Sequence, residues 1–226
     1  MTVHNELTPR AEEYLEAILN MKIEGKTVQQ ARLAERLRVS APTVSGALGR
    51  LARDGLIRFG PGRAVTLTEA GELEARTVVR RHRLLEVLLT EVLGVDWAEC
   101  HEEACLLEHA TSERLERKLA ERLGNPESCP HGNPIPGDGE IVLPDAVQLS
   151  TVLAGSRVRV VRISEEATLD LELMRLLERK RILPGRIVQV HEVAPSAGTI
   201  TLQTEEGGVP LGTQVAKSVW VTPVDG

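Results

Sequence analysis

The chain has 226 residues, 42% hydrophobic and 27% charged, an ordinary balance for a globular protein with room for one large domain or two to three small ones. No apolar run approaches the roughly 18 residues of a membrane span, and MTVHNELTPR has no apolar stretch behind a basic start, so neither a span nor a signal peptide is expected. The net charge of −6 argues against a nucleic-acid partner only until its distribution is read. From Val28 to Val65 seven arginines (32, 36, 38, 50, 53, 58, 63) face two acids, Glu35 and Asp54, a local +5 that leaves −11 for the rest. Cys100, Cys105 and Cys129 are odd in number and form no Cys-x-x-Cys pair, which excludes a disulfide framework and points to a reduced, cytoplasmic setting.

Taken in chain order, Thr8 followed by Pro9 reads as a helix start, with Tyr14, Leu15, Ile18 and Leu19 at helical spacing behind it. In ARLAERLRVSAPTVSGALGRLARDGL, the residues Ala31, Leu33, Ala34 and Leu37 make the apolar stripe of one helix. Val39 falls in a turn, and Ser40 caps a second helix that turns Val44, Leu48 and Leu51 inward before Gly55 ends it. This is a helix-turn-helix pattern. IRFGPGRAVTL then alternates around Gly60-Pro61-Gly62, as a hairpin wing does. The small residues Ser40, Pro42, Thr43 and Ser45 open the second helix toward base edges, while Arg32, Arg50, Arg53 and Arg63 suit phosphates. With no Asn, Gln or Arg over residues 40–46, little bidentate base reading is expected.

Residues 72–124 read as almost wholly helical, and the run from Leu84 to Leu93 is apolar around most of its circumference, which favours a homodimer interface. GNPESCPHGNPIPGDG marks an irregular, linker-like excursion. Beyond it a Leu-rich helix over Leu169–Leu177 and strands at Ile187–Val193, Thr199–Thr204 and Val219–Val224 suggest a small β-barrel. The expected organisation is α+β, mainly α: a winged helix-turn-helix at 1–71, a helical dimerisation and metal domain at 72–140, a linker at 141–154 and an SH3-like β-barrel at 155–226.

HEEACLLEH carries the chemistry. His101, Cys105, Glu108 and His109 stand at i, i+4, i+7 and i+8, within roughly a 100° sector of an ideal helix. Imidazole, thiolate and carboxylate are the usual transition-metal donors, and His82 and Glu86 add a second i, i+4 pair upstream. His101-Glu102-Glu103-Ala104-Cys105 also mimics the helix of zinc peptidases, but a Cys stands where the second His belongs, so an enzyme is not expected.

Together ARLAERLRVSAPTVSGALGRLARDGL, RHRLLEVLLTEVLG, HEEACLLEH and GNPIPG resemble the diphtheria toxin repressor family of iron- and manganese-dependent regulators, over essentially the whole chain. The resemblance implies a homodimer, a double-stranded DNA operator and two metal sites per subunit. His82, Glu86 and His101 match the ancillary site, and Cys105, Glu108 and His109 match the primary one. The primary site is completed by Glu13, where the iron branch has Met, with Glu16 matching a second carboxylate of the manganese branch. Asp170 or Glu172 matches an ancillary donor from the third domain, and Gly46 departs from the Gln of iron-type recognition helices. A hard carboxylate in place of a thioether favours Mn2+, with Fe2+ the alternative kept open by Cys105. The expected function is a manganese-responsive repressor of metal homeostasis. The alternatives are an iron(II)-responsive repressor, or a winged-helix regulator whose metals are purely structural.

Overall fold

The computed structural model describes residues 7–224, so the opening MTVHNE, read above for a leader, and the last two residues lie outside it. The fold is α+β and divides into two compact units, one of Met1–His82, Leu107–Ser112 and Pro136–Ile141, the other of Arg83–Leu106, Glu113–Ile135 and Val142–Gly226.

In the first unit α1 (Pro9–Ile23) starts where Thr8 accepts a hydrogen bond from the Ala11 N–H, with Pro9 at the first helical position. Helices α2 (Gln30–Arg36) and α3 (Ala41–Arg53) follow, and Ser40 caps α3 by accepting from the Thr43 N–H. Strands β1 (Ile57–Phe59) and β2 (Val65–Leu67) pair antiparallel with Arg58 opposite Thr66, around a turn in which Gly62 takes φ +63°. Tyr14, Leu15 and Ile18 of α1 pack with Leu33, with Val44, Leu48 and Leu51 of α3, and with Ile57 and Val65 of the hairpin in one core. Gly71, near the start of α4 (Glu69–Val87), lies so close to Leu56 that an added Cβ would sit 1.9 Å from the Leu56 carbonyl oxygen. The guanidinium of Arg76 donates to the carbonyls of Gly137 and Gly139, and Arg80 donates to that of Pro136. These bonds hold the 136–141 strap, whose Ile141 joins the same core.

In the second unit the apolar run at the end of α4 is divided between two cores. Leu84 and Val87 pack with Ala120 and Ile135, whereas Leu85 and Leu89 pack with Cys100 and Ala104. Only Val92 and Leu93, 59% and 63% exposed, remain for a partner, so the all-round apolarity is mostly spent inside the chain. The helical stretch is also more broken than the sequence suggests. A π-helical turn over Leu88–Val92 precedes Gly94 at φ +72°, then come α5 (Cys100–Leu107) and, after a 3-10 turn at Glu108–Ala110, α6 (Glu113–Arg122).

The C-terminal part is a six-stranded antiparallel sheet in the order β3-β8-β4-β5-β6-β7. Its strands are β3 (Val147–Gln148), β4 (Arg157–Ile163), β5 (Ile187–Ala194), β6 (Thr199–Thr204), β7 (Gly207–Gly212) and β8 (Val219–Pro223), accompanied by α7 (Leu171–Arg179) and α8 (Thr213–Ser218). Alternate residues Val158 and Val160, Val188 and Val190, and Ile200 and Leu202 face one core with Met174 and Leu177 of α7. Strand β7, absent from the strands read in the sequence, sits at the sheet edge, where Pro210 needs to donate no ladder bond.

Candidate metal centres and nucleic-acid interface

In the first unit α1, α4 and the 3-10 turn bring together a partly buried series of carboxylates and imidazoles. Glu12 pairs with His109 Nδ1 at 2.6 Å, and His109 Nε2 lies 3.2 Å from Glu108 Oε1. Glu108 Oε2 in turn pairs with His82 Nδ1 at 2.6 Å. His82 and Glu108 are only 1–2% exposed, and Glu16 brings an oxygen close enough that Glu16, His82 and Glu108 offer donor atoms all within 4.8 Å of one another. Glu13 is placed elsewhere: it forms an ion pair with Arg10 at the surface. Of the two neighbouring glutamates, the structure turns Glu12 rather than Glu13 toward the imidazole. Successive helical residues point about 100° apart, and which of them meets His109 is set by a residue 97 positions away.

In the second unit Glu86 is the hub. Its Oε1 lies 3.3 Å from His101 Nδ1 and 3.1 Å from His131 Nδ1, and Cys105 Sγ lies 3.8 Å from His101 Nε2. Glu86, Cys129 and His131 offer donor atoms within 4.8 Å of one another, all three residues being at most 4% exposed. Sequence reasoning passed over Cys129 and His131, which lie in the stretch taken for a linker. The local signal was there in Cys-Pro-His-Gly-Asn. The Gly132 N–H donates to the Cys129 carbonyl and the Cys129 N–H to the Asn133 carbonyl. Gly132 takes φ +82°, with a Cβ at that position 2.1 Å from the Val161 carbonyl oxygen of β4. The loop is further fastened by Ile163 N–H donating to the His131 carbonyl, Asn133 donating to the Ile163 carbonyl, and Trp97 Nε1 donating to the Pro130 carbonyl.

Burial pushes the Cys129 thiol up to about 11, with the Glu86 charge adding to the effect. Burial alone would lower His131, but the Glu86 carboxylate and the hydrogen bonds the ring makes to Cys100, Cys129 and Glu86 outweigh it and hold the imidazole well above its usual value. His131 Nε2 donates to the Trp97 carbonyl at 3.1 Å, while Nδ1 faces Glu86 Oε1, also at 3.1 Å. Arg83, 1% exposed, is neutralised by Glu165 through Nε and Nη2 at 3.1 and 2.8 Å. Asp170 caps α7 by accepting from the Leu173 N–H, and Glu172 pairs with Arg175 at the surface.

On α3 the buried face is Val44, Ala47, Leu48 and Leu51, so Pro42, Thr43, Ser45, Gly46 and Arg50 stand outward in solvent, with Arg32 and Arg63 also exposed. Ser40 and Thr43 hydroxyls bond each other at 2.8 Å. A Cβ at Gly46 would meet nothing within 4 Å.

A winged helix-turn-helix with a basic outer face, in a chain that also gathers metal-type donors in each of its units, defines a metal-dependent DNA-binding regulator. Residues 6–65 match the profile of the iron dependent repressor N-terminal DNA binding domain, 68–137 that of the iron dependent repressor metal binding and dimerisation domain, and 147–223 the FeoA domain. The iron-dependent repressor IdeR of Mycobacterium tuberculosis is 40% identical over 230 residues, covering 97% of this chain and 100% of that protein. The diphtheria toxin repressor of Corynebacterium diphtheriae is 35% identical over 95% of this chain and 97% of its own length. Among solved structures, a manganese-dependent transcriptional repressor in complex with manganese superposes with a TM-score of 0.85 at 38% identity, over 95% of this chain and 100% of that one. The manganese regulator SloR gives a TM-score of 0.80 at 27% identity, over 96% of this chain and 100% of its own. The chain belongs to the diphtheria toxin repressor family, whose members are metal-dependent transcriptional repressors rather than enzymes.

Proposed function

We propose that this chain is a manganese-responsive repressor in which one Mn2+, held by Glu12, Glu16, His82, Glu108 and His109, fixes α1 and switches operator binding. The observation that carries the reading is the run Glu12–His109–Glu108–His82, partly buried at Glu12 and His109 and fully at Glu108 and His82, with two 2.6 Å contacts and Glu16 alongside. Three carboxylates and two imidazoles with no sulfur form a hard donor set, which suits Mn2+ better than thiophilic ions. The set also fits an ion on charge grounds, because a divalent cation would neutralise acids that burial otherwise penalises. Helix α1 shares its core with α3, so an ion clamping α1 to Glu108 and His109 restrains the helix that faces DNA. Arg32, Arg50 and Arg63 then contact phosphates, and Ser40, Pro42, Thr43 and Ser45 meet base edges.

A second ion occupies Glu86, Cys129 and His131, with His101 and Cys105 as neighbours. The thiol there favours a softer ion, Fe2+ or Zn2+. Fe2+ as the physiological effector is the reading this second set supports. Exposed Val92, Leu93, Leu106 and Leu115, 47–74% accessible, supply apolar surface for a homodimer, and three free thiols suit the cytoplasm.

The test is an anaerobic operator-binding titration with Mn2+ and with Fe2+ on the wild type and on Glu12→Ala, Glu13→Ala and Glu16→Ala. Loss of the Mn2+ response in the Glu12 and Glu16 variants with the Glu13 variant retaining it supports the cluster as drawn. Loss in Glu13→Ala alone transfers the role to the residue the family resemblance singles out. An apo protein that unfolds when stripped, with no metal-dependent change in affinity while folded, makes the ions structural.

A further inference from the structure

The trio of Glu86, Cys129 and His131 is at most 4% exposed, so an ion reaches it only through some opening of the second unit. Of the three residues, Cys129 alone lines a groove of about 750 Å3 between the Cys129–Pro134 loop, the 142–145 segment and strand β4. Two carboxylates, Glu127 and Asp145, stand on that groove, and neither side chain has a hydrogen-bond or ion-pair partner among the described residues. The one cation on its wall, Arg159, is tied back by donating to the Gly185 carbonyl at 2.9 Å. We infer that this groove is the cation entry port of the thiol-bearing site, with Glu127 and Asp145 as the residues that gather the ion and Arg159 as an opposing charge that slows loading. The inference rests on the reading of Glu86, Cys129 and His131 as a metal site.

Carboxylates left unpaired beside a groove raise the local cation concentration and so act on the association rate, while the equilibrium affinity is set by the buried donors. Removing the charge at the mouth therefore changes how fast the ion arrives and how fast it leaves by the same factor. Removing the opposing arginine acts with the opposite sign. Both effects shrink as salt screens exposed charges over a Debye length of about 10 Å at 0.1 M.

The experiment mixes anaerobic apo protein with Co2+ in a stopped-flow instrument and follows the near-ultraviolet thiolate-to-cobalt absorption, which reports a sulfur ligand directly. Wild type, the Glu127→Gln/Asp145→Asn double variant, Arg159→Gln and Cys129→Ser are compared at low and high ionic strength. At low salt the double variant should load about threefold to tenfold more slowly and Arg159→Gln about twofold to threefold faster, each with an unchanged final amplitude and midpoint. The differences should collapse at high salt. Cys129→Ser should lose the band. A band retained in Cys129→Ser would overturn the metal site itself. Full amplitude with unaltered rates in both mouth variants would overturn the entry port alone.

Discussion

The cluster of Glu12, Glu16, His82, Glu108 and His109 is partly buried and the trio of Glu86, Cys129 and His131 wholly so, and the two are built from opposite materials. The first takes Glu12 and Glu16 from α1, His82 from α4 and Glu108 and His109 from a 3-10 turn, so a cation there would link elements distant in sequence without any sulfur. The second is held by a tight loop against β4, and its thiol and imidazole both carry protons that an ion must displace. On the proposed reading, a hard set on a helix that shares its core with the recognition helix would switch, whereas a softer set on a fastened loop would hold.

The sharpest way to separate them is to break the supporting backbone. Gly132→Ala should cost about 3 kcal/mol or more, because the left-handed φ and the 2.1 Å approach to the Val161 carbonyl act together. Urea denaturation should show the loss, and the Co2+ thiolate band should vanish with it. Gly71→Ala, whose Cβ would lie 1.9 Å from the Leu56 carbonyl, should destabilise the winged-helix unit by about 2–3 kcal/mol, measured on the same denaturation scale. An unshifted midpoint in either variant would mean that the loop or the helix start relaxes freely.

Next in size is a change of charge without a change of shape. Glu108→Gln keeps the side chain between His82 and His109 but removes the carboxylate that both contact. Mn2+ binding by calorimetry should weaken about 100-fold, near 2.7 kcal/mol, while the Co2+ band of the trio keeps its amplitude. Equal losses at both sites would end the distinction between them.

Much of this was legible in the chain itself, and the exceptions have physical reasons. Thr8-Pro9, Ser40 before Pro42, and Gly62 in the wing are local signals, set within a few residues, and each lies where the sequence puts it. The single helix face proposed for His101, Cys105, Glu108 and His109 assumed one unbroken α-helix, but α5 ends at Leu107 and the last two donors ride on a 3-10 turn. Glu12, Glu13 and Glu16 cannot be ranked from spacing alone, since the choice depends on where His109 arrives. Cys129 and His131 were hidden by composition. Glycine and proline usually mark a linker, and here they make a fastened loop because Gly132 presses on β4 and Asn133 bonds to its backbone.

Proton competition gives the next effect. The Cys129 thiol stands at about 11 and His131 well above its usual value, so below neutral pH both are protonated and an ion must release two protons to bind the trio. Affinity of this site should therefore rise with pH, by up to roughly 100-fold per unit while both protons are released and roughly tenfold per unit once His131 is neutral. The rise should end near pH 11, where the thiol is already ionised. Isothermal titration in buffers of different ionisation enthalpy counts the protons directly. A count of zero at pH 7 would place the ion on donors other than Cys129 and His131.

The smallest effect lies at the DNA-facing end of the first unit. Gly46 stands in the middle of α3 with an ordinary backbone and open space around its missing side chain, so an added methyl meets no neighbour. Gly46→Ala should stabilise the winged-helix unit by about 0.5–1 kcal/mol through the entropy that glycine loses in a helix. Because Gly46 faces away from the core that α3 shares with α1, the Mn2+ midpoint should stay within about twofold of the wild type, which is under 0.5 kcal/mol. Operator affinity measured at saturating Mn2+ is then the place to look for change, since any gain or loss there comes from the methyl at the DNA surface and from a stiffer helix. A large shift in the Mn2+ midpoint would mean that flexibility of α3 is itself part of the metal switch, and that the readout end and the hard cluster are one device.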